Sequence, residues 1–283
     1  MKKKLILRLE GGFGNQLFQI AFIFSFYNLD EYDLYYDSSA YDYYKIRNFE
    51  TEELLLFLRF KKYQNSNIKY RLFKILVASN RFLQYFFRRS KYQDKYQKVL
   101  NFLNSFGIYI NTSMSYTLYE DKFGADSVFI FGYFQSYKYL SNNIFISRLH
   151  EFISKKKFIC NVNNDTLVSA RVGDDYLIND NLRTTSIFEL IEGIDSFDLM
   201  SDDLSRCVNT LQSFGVANFN VIPVDDLYHA IFISSCYTNV VISNSSFSWW
   251  LAYYAWYFNN SKIILPRLWY KYQPANTELF FVE

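Results

Sequence analysis

Four short segments of the 283-residue chain combine residue types that could hold a charged ligand. The first is Gly11-Gly12-Phe13-Gly14-Asn15-Gln16, a glycine loop in a chain that has only nine glycines. Between a strand and a helix, such a loop lets a ligand approach backbone amides at the helix's positive end. It is not a dinucleotide fingerprint, because Leu17 stands where the third glycine of G-x-G-x-x-G belongs, and no Gly-Lys-Ser/Thr follows to make a Walker loop. A tight turn without a ligand is the alternative. The second segment is Ser169-Ala170-Arg171-Val172-Gly173-Asp174-Asp175. An arginine at the carboxyl end of a parallel strand lies where open α/β sheets bind ligands, and its fork matches phosphate oxygens in a way lysine does not. On a diphosphate, Arg171 would stabilise the charge that grows as a nucleotide leaves; on its own, an Arg171–Asp174 ion pair explains the same residues.

The third segment is Ser201-Asp202-Asp203. Its carboxylates could bind ribose hydroxyls, a guanine edge or a metal, or Asp202 could cap the next helix. The fourth is Ser243-Asn244-Ser245-Ser246-Phe247-Ser248-Trp249-Trp250. There a strand ends in hydroxyls and opens a helix rich in aromatics, so Ser245 or Ser246 with the helix amides makes a neutral anion site. Capping explains one serine, but not four beside an asparagine.

The elements that must position these segments form two runs. Residues 4–9 are nearly continuously apolar, as a buried parallel strand is. A helix is expected from Asn15 onward and a second strand at 33–37, which together make a βαβ opening. A second alternation has expected strands at 127–134, 166–172, 197–200, 218–221, 240–243 and 263–265, with helices at 227–236 and 245–258. The pattern predicts an α/β protein of two Rossmann-like domains facing each other across a cleft, 1–155 and 156–283.

Residues 51–106 interrupt the first run as a helical insertion without proline. From Lys61 to Lys98 they carry eleven Lys and Arg against the lone acid Asp94, with Phe and Tyr interleaved. A solvated basic face accounts for this, as does peripheral contact with anionic lipid headgroups.

Composition excludes several classes. Half the residues are hydrophobic and 20% charged, unlike a disordered chain. Aromatics reach 21%, and Tyr and Trp, apolar with a polar tip, suit sugar sites and wet interfaces. A net charge of +2 provides no global field for nucleic acid. Three cysteines (Cys160, Cys207, Cys236) and two histidines (His150, His229) form no zinc-ligand spacing. The odd cysteine count and the absence of a secretory-type apolar start point to a reducing compartment, and residues 247–258 are too short to span a bilayer. A cytoplasmic location is therefore expected, peripheral on the inner face of the membrane if the basic stretch binds lipid.

The ordered segments resemble the α-1,2-fucosyltransferases of glycosyltransferase family 11. The resemblance rests on Gly11 through Gln19, Gly132-Tyr133-Phe134-Gln135-Ser136-Tyr137-Lys138-Tyr139, Ser201-Asp202-Asp203, Asn244 through Trp250, and the closing Pro266-Arg267-Leu268-Trp269-Tyr270. It runs from residue 5 to about 270, and residues 51–106 are unmatched. What it implies is a GT-B fold with an acceptor-side N-terminal domain and a GDP-fucose-binding C-terminal domain. The implied reaction transfers L-fucose from GDP-β-L-fucose, with inversion, to the 2-hydroxyl of a galactose in a glycan such as a surface polysaccharide repeat. No metal and no further cofactor are implied.

The family's His-x-Arg-Arg-x-Asp motif falls on residues 169–174, with its leading arginine kept as Arg171. Ser169 replaces the histidine and Val172 the second arginine. Arg171 is thereby expected to bear the diphosphate nearly alone, with Asp174 as the base. Gly14, Asn15, Gln16, Ser169, Gly173, Ser201, Asp202, Asp203, Asn244, Ser245, Ser246 and Phe247 are the expected donor-binding set, Asn15 and Gln16 reaching fucose or acceptor across the cleft. Two other readings fit the residues: a GT-B enzyme that uses another nucleotide sugar, and a catalytically silent carbohydrate-binding relative.

Overall fold

The apolar run that opens the chain becomes β1 (Lys3–Arg8), the central strand of a parallel sheet. The structure, a computed structural model, describes residues 2–26, 29–43, 47–64, 67–87, 100, 102–104, 106–111, 116, 125–173 and 187–269. The chain divides into two compact units, Met1–Arg148 and Leu149–Glu283.

In the first unit β1 is followed by α1 (Phe13–Phe24) and β2 (Tyr32–Asp37), the expected βαβ opening. With β3 (Lys61–Lys62), β4 (Ile108–Asn111) and β5 (Ser127–Gly132) the sheet runs β3-β2-β1-β5-β4, every neighbouring pair parallel. Register places Arg8 opposite Asp37 and Leu7 opposite Ile130. Leu5, Ile6 and Leu7 of β1 and Val128, Phe129 and Ile130 of β5 are wholly buried, because layers cover both faces of a parallel sheet. That is why these strands read as apolar runs and not as alternations.

The stretch at 51–106 is less uniform than its helical periodicity predicts. It contains α2 (Glu52–Phe57), the edge strand β3, and α3 (Ile68–Phe87). β3 pairs with β2 through Tyr35↔Lys61 and Tyr36↔Lys62, and two residues are too few to leave any period in a sequence. One face of α3 is structural, since Tyr70, Phe73 and Val77 pack with Ile6, Phe129 and Ile110 in one core cluster. The stretch is thus a working layer of the unit. Its cations from Arg88 to Lys98 lie outside the described residues.

The division between units falls inside α4 (Ile144–Lys155). The second unit continues with β6 (Thr166–Ala170), α5 (Ile187–Ile191), β7 (Phe197–Ser201), α6 (Leu204–Ser213) and β8 (Phe219–Val221). Then come α7 (Leu227–Ser234), β9 (Asn239–Ile242), α8 (Ser246–Asn259) and β10 (Lys262–Ile264). Its sheet is also parallel, in the order β10-β9-β6-β7-β8. Val168, Leu199 and Val241 on three adjacent strands join Cys207 and Leu211 of α6 in its core. On the chain's longest aromatic stretch, Trp249, Trp250, Tyr253 and Tyr254 of α8 are all buried, so the run is core and not surface.

Cys160 and Cys236, 76 residues apart, are joined as a disulfide, while Cys207 is free and buried. The odd count had concealed one pair, because pairing depends on proximity that the chain acquires only on folding. Burial pushes the Cys207 thiol up to about 11, which makes it a packing residue.

Asp198 ties the amino edge of the second sheet together. Its wholly buried carboxylate accepts from Asn163 N (2.9 Å), Asn164 Nδ2 (2.7 Å), Tyr237 Oη (2.9 Å) and Asn220 Nδ2 (3.3 Å). Burial alone would raise its pKa, but these donors outweigh burial and hold it below the ordinary carboxylate value. A depressed folded-state pKa stabilises the fold above the unfolded value and loses that effect as pH falls through the folded one. Asp198→Asn should therefore cost about 1.5–3 kcal/mol at pH 7, since the bonds lost are to a charged group. The difference from wild type should shrink below about pH 3.9. Urea unfolding at several pH values checks this, and a gap that does not narrow in acid would contradict it.

Candidate functional site

Both sheets reverse their winding at the central strand. In the second unit β6 lies between β7 and β9, so successive strands are added on one side of β6 and then on the other. Loops leaving adjacent strands in opposite directions open a crevice at the strands' carboxyl ends, the position where open α/β sheets take ligands. The segments that meet there are the Arg171 loop after β6 and the Ser243–Ser246 turn after β9. Residues 169 and 242 are register partners across that seam.

A small set of bonds fixes the seam. Ser243 Oγ accepts from Arg171 N (2.9 Å) and donates to Ser169 O (3.1 Å), while Ser243 N also donates to Ser169 O (3.0 Å). Ser169, which is 4% exposed, shares a hydroxyl–hydroxyl bond of 2.8 Å with Ser248 on α8. Its hydroxyl is therefore committed to joining sheet and helix. Asn244 Nδ2 donates to Trp269 O (3.0 Å), which anchors the start of the closing segment; Tyr270 lies outside the described residues. Ser245 is the buried N-cap of α8, and Ser246 and Phe247 in its first turn are half-buried.

From the other side of β6 comes Asp202, just after β7. Asp202 Oδ1 accepts from Val172 N (2.9 Å) and Gly173 N (3.2 Å), and Oδ2 stands 3.7 Å from Arg171 Nη1. One carboxylate thus holds the backbone of the Arg171 loop and faces its guanidinium. The approach is so close that a Cβ on Gly173 would lie 2.5 Å from Asp202 Oδ2, which is why a glycine stands there. The helix cap proves to be Asp203, whose Oδ1 accepts from Arg206 N (3.0 Å), and not Asp202. Ser201 Oγ accepts from Asp203 N (3.3 Å) and shapes the turn. The adjacent carboxylates are thereby spent on different tasks. Among the described residues no three His, Cys, Asp or Glu side chains gather as a metal would need.

Sequence reasoning missed a second guanidinium. Arg206, in the first turn of α6, donates from Nη1 to Val172 O (3.1 Å), and its Nε stands 3.7 Å from Asp203 Oδ2. Arg171 is therefore not the only cation on this loop. The available signal was a basic residue in the first turn of an expected helix, where acids are the usual choice. Asp174, the expected base, lies outside the described residues.

Gly14, Asn15 and Gln16 belong to the first unit, at the start of α1. Gly11 holds φ +85°, and a Cβ there would meet Asn15 Nδ2 at 2.7 Å, so this loop needs its glycine. Gln16 is wholly buried and spends its amide inside the fold. It donates to Gly11 O (3.2 Å) and Asn48 O (2.9 Å), and accepts from Glu50 N (3.1 Å) and Thr51 Oγ1 (3.0 Å). Asn15 Oδ1 accepts from Gln135 Nε2 (2.7 Å), a bond that links the segments after β1 and β5 at that sheet's own switch point.

At the same edge Arg8, 2% exposed, is paired with Glu10 and Asp37 at 2.9 Å each, and donates to Tyr43 Oη. Burial opposes its charge, but the two carboxylates outweigh burial and raise its pKa. In sequence Arg8 and Glu10 only interrupt an apolar run; the fold makes them a closed ion network.

No protein-family model matches the chain, and no curated protein matches it. Solved structures do. A structure of POFUT1 in complex with GDP is 12% identical, aligns over 94% of this chain and 99% of that one, and has a TM-score of 0.44. The NodZ alpha-1,6-fucosyltransferase co-crystallized with GDP is 12% identical over 90% and 92% of the two chains, with a TM-score of 0.46. In a POFUT1 complex with GDP-fucose the alignment covers 43% of this chain and less than half, 46%, of that one, at 15% identity and a TM-score of 0.28.

Gly173 and Asp202 should act as one unit. Gly173→Ala displaces the Asp202 carboxylate, so it should cost about as much stability as Asp202→Ala, roughly 1–3 kcal/mol for the two loop amides left unbonded. In the double variant the costs should overlap, with a coupling of about 1 kcal/mol or more. A double-mutant cycle by denaturant unfolding measures this; strictly additive effects would show that the loop does not depend on the pair.

Proposed function

We propose that the chain is a galactoside α-1,2-L-fucosyltransferase of the GT-B class, which binds GDP-β-L-fucose on its C-terminal unit and transfers fucose with inversion. The observation that carries this reading is the junction of Arg171 with the Ser243–Ser246 turn at the β6–β9 switch point, sealed by the bond from Arg171 N to Ser243 Oγ. There a guanidinium and a serine-rich turn converge, on a loop whose Val172 and Gly173 amides Asp202 holds, within motifs that resemble the family in kind and in order.

In the proposed reaction the acceptor's 2-hydroxyl oxygen attacks the anomeric carbon of fucose on the face opposite GDP. The bond from that carbon to the β-phosphate oxygen breaks, and the electron pair leaves with GDP. Arg171 stabilises the growing phosphate charge, and the hydroxyl's proton passes to Asp174 or to solvent. Ser169 takes no part in proton transfer, because its hydroxyl bonds Ser248. The N-terminal unit serves the acceptor. The proposed reaction is metal-independent, a reading supported by the engagement of Asp202 with the loop amides and of Asp203 with the α6 cap.

The outer face of α3 is assigned to an anionic lipid surface. Ile68, Leu72 and Ile75 fall on one stripe and are 87%, 46% and 62% exposed, opposite the buried Tyr70, Phe73 and Val77. Exposed Arg71 lies on the same helix, Lys61 and Lys62 are exposed on β3, and residues 61–87 contain no acid. Apolar side chains beside cations gain both burial and attraction at such a surface.

Two outcomes are expected. With GDP release measured in EDTA, from GDP-fucose and a panel of galactosides, Arg171→Ala should lose on the order of 10²–10³ in rate or more while staying folded. Arg171→Lys should recover only part, since it keeps the charge without the fork. Near wild-type turnover by Arg171→Ala would remove the donor site from this loop; turnover by no donor, with glycan still bound, would leave a binding protein. Separately, the chain should co-sediment with anionic but not neutral vesicles, and Leu72→Asp/Ile75→Asp should abolish this. Equal binding to both vesicle types would refute the lipid assignment.

A further inference from the structure

Two guanidinium groups serve one three-residue loop. Arg171 leaves the end of β6 and pairs with Asp202 at 3.7 Å. Arg206 arrives from α6, pairs with Asp203 at 3.7 Å, and donates to Val172 O at 3.1 Å, one residue beyond Arg171. Both ion pairs are longer than the roughly 2.7–2.9 Å of a tight charge-assisted hydrogen bond. Their side chains remain partly open, Arg171 at 19% and Arg206 at 40% exposure. This is unlike Arg8 at the corresponding edge of the first sheet, which is 2% exposed and closed on two carboxylates at 2.9 Å.

The position of Arg206 is locally unfavourable. It follows the Asp203 cap by three residues, in a helical first turn whose amides already carry positive charge, where a cation is disfavoured. Packing does not require it either, since the core positions of this helix are Cys207 and Leu211. A long cation turned back across the neighbouring strand's loop gains most if a polyanion completes the arrangement.

We infer that Arg206 supplies the second guanidinium for the diphosphate of a nucleoside-diphosphate donor, acting with Arg171 on the same loop. This rests on the donor-site reading above. In this inference Arg171 does not work nearly alone: with Val172 apolar, the second cation comes from a different element, 35 residues further along the chain. On binding, both guanidinium groups meet phosphate oxygens, and Asp202 keeps its hold on the loop amides. Arg206 is then a specificity residue for the diphosphate and not for the nucleoside.

Calorimetry with GDP and with guanosine, on the wild type, Arg206→Ala, Arg206→Lys and the double variant Val172→Arg/Arg206→Ala, tests this. Arg206→Ala should weaken GDP binding at least tenfold and leave guanosine binding within about twofold, Arg206→Lys should be intermediate, and the double variant should regain part of the loss. Unchanged GDP affinity in Arg206→Ala would overturn the inference and leave the donor site standing. Equal loss of GDP and guanosine would also overturn it, because Arg206 would then only support the loop. If the wild type binds no GDP, the donor-site reading fails and the inference falls with it.

Discussion

Past their last ladder bonds β6 and β9 must part, and one hydroxyl decides where. Ser243 Oγ takes the amide of Arg171 and gives its proton to the carbonyl of Ser169, which extends the seam by one step without a strand residue. A buried backbone amide left unbonded costs on the order of 1–3 kcal/mol, so the pairing is strongly enforced. Everything at the site follows from that step. It sets the point at which Arg171 leaves the sheet and the angle from which Ser245 opens α8. It also leaves Val172 and Gly173 free to turn toward β7, where Asp202 receives their amides.

The two sheets share an all-parallel build and a central switch strand, yet they treat charge at that edge in opposite ways. In the first unit Arg8, Glu10 and Asp37 are all 2% exposed and form a closed set with Tyr43 and Ser39. A buried charge of this kind survives only when each partner is matched, and removing one partner commonly costs about 3–5 kcal/mol. In the second unit the guanidinium groups stand farther from their carboxylates and nearer to water. The first arrangement is closed to water, and the second is partly open to it. The difference is one of distance and exposure as well as number: one arginine meets two carboxylates in the first set, and two arginines meet one carboxylate each at 3.7 Å in the second.

The dense aromatics serve chiefly as core. Phe22 stacks on Phe134 at 3.8 Å and on Tyr109 at 5.6 Å, which fastens α1 to β4 and to the segment after β5. Trp249 stacks on Tyr253 within α8, and His150 Nδ1 meets Tyr254 Oη at 2.6 Å with its ring lying on Phe258. Large flat side chains with a polar tip can fill a sheet–helix interface and still satisfy the tip, as Tyr237 does on Asp198. An aromatic excess that reads as material for sugar sites is, for these residues, the packing of two α/β units.

The primary structure by itself determined most of the strands and marked the turns that make up the candidate site. Parallel strands buried on both faces must be apolar throughout, so residues 4–9 and 166–172 announced β1 and β6, and the glycine and serine clusters marked the turns that follow their sheets. The three-residue β8 and β10 were still legible, but β3 with its two residues left no trace. What the chain order could not show was partnership across sequence distance. Which aspartate caps and which clamps, that Cys160 meets Cys236, that Gln16 is consumed by residues 48–51, and that Arg206 returns to Val172 all depend on which loops the sheet order brings side by side. Hydrophobic periodicity is a local property and survives in sequence. The contacts that give a polar side chain its task are set only when the strands close on one another.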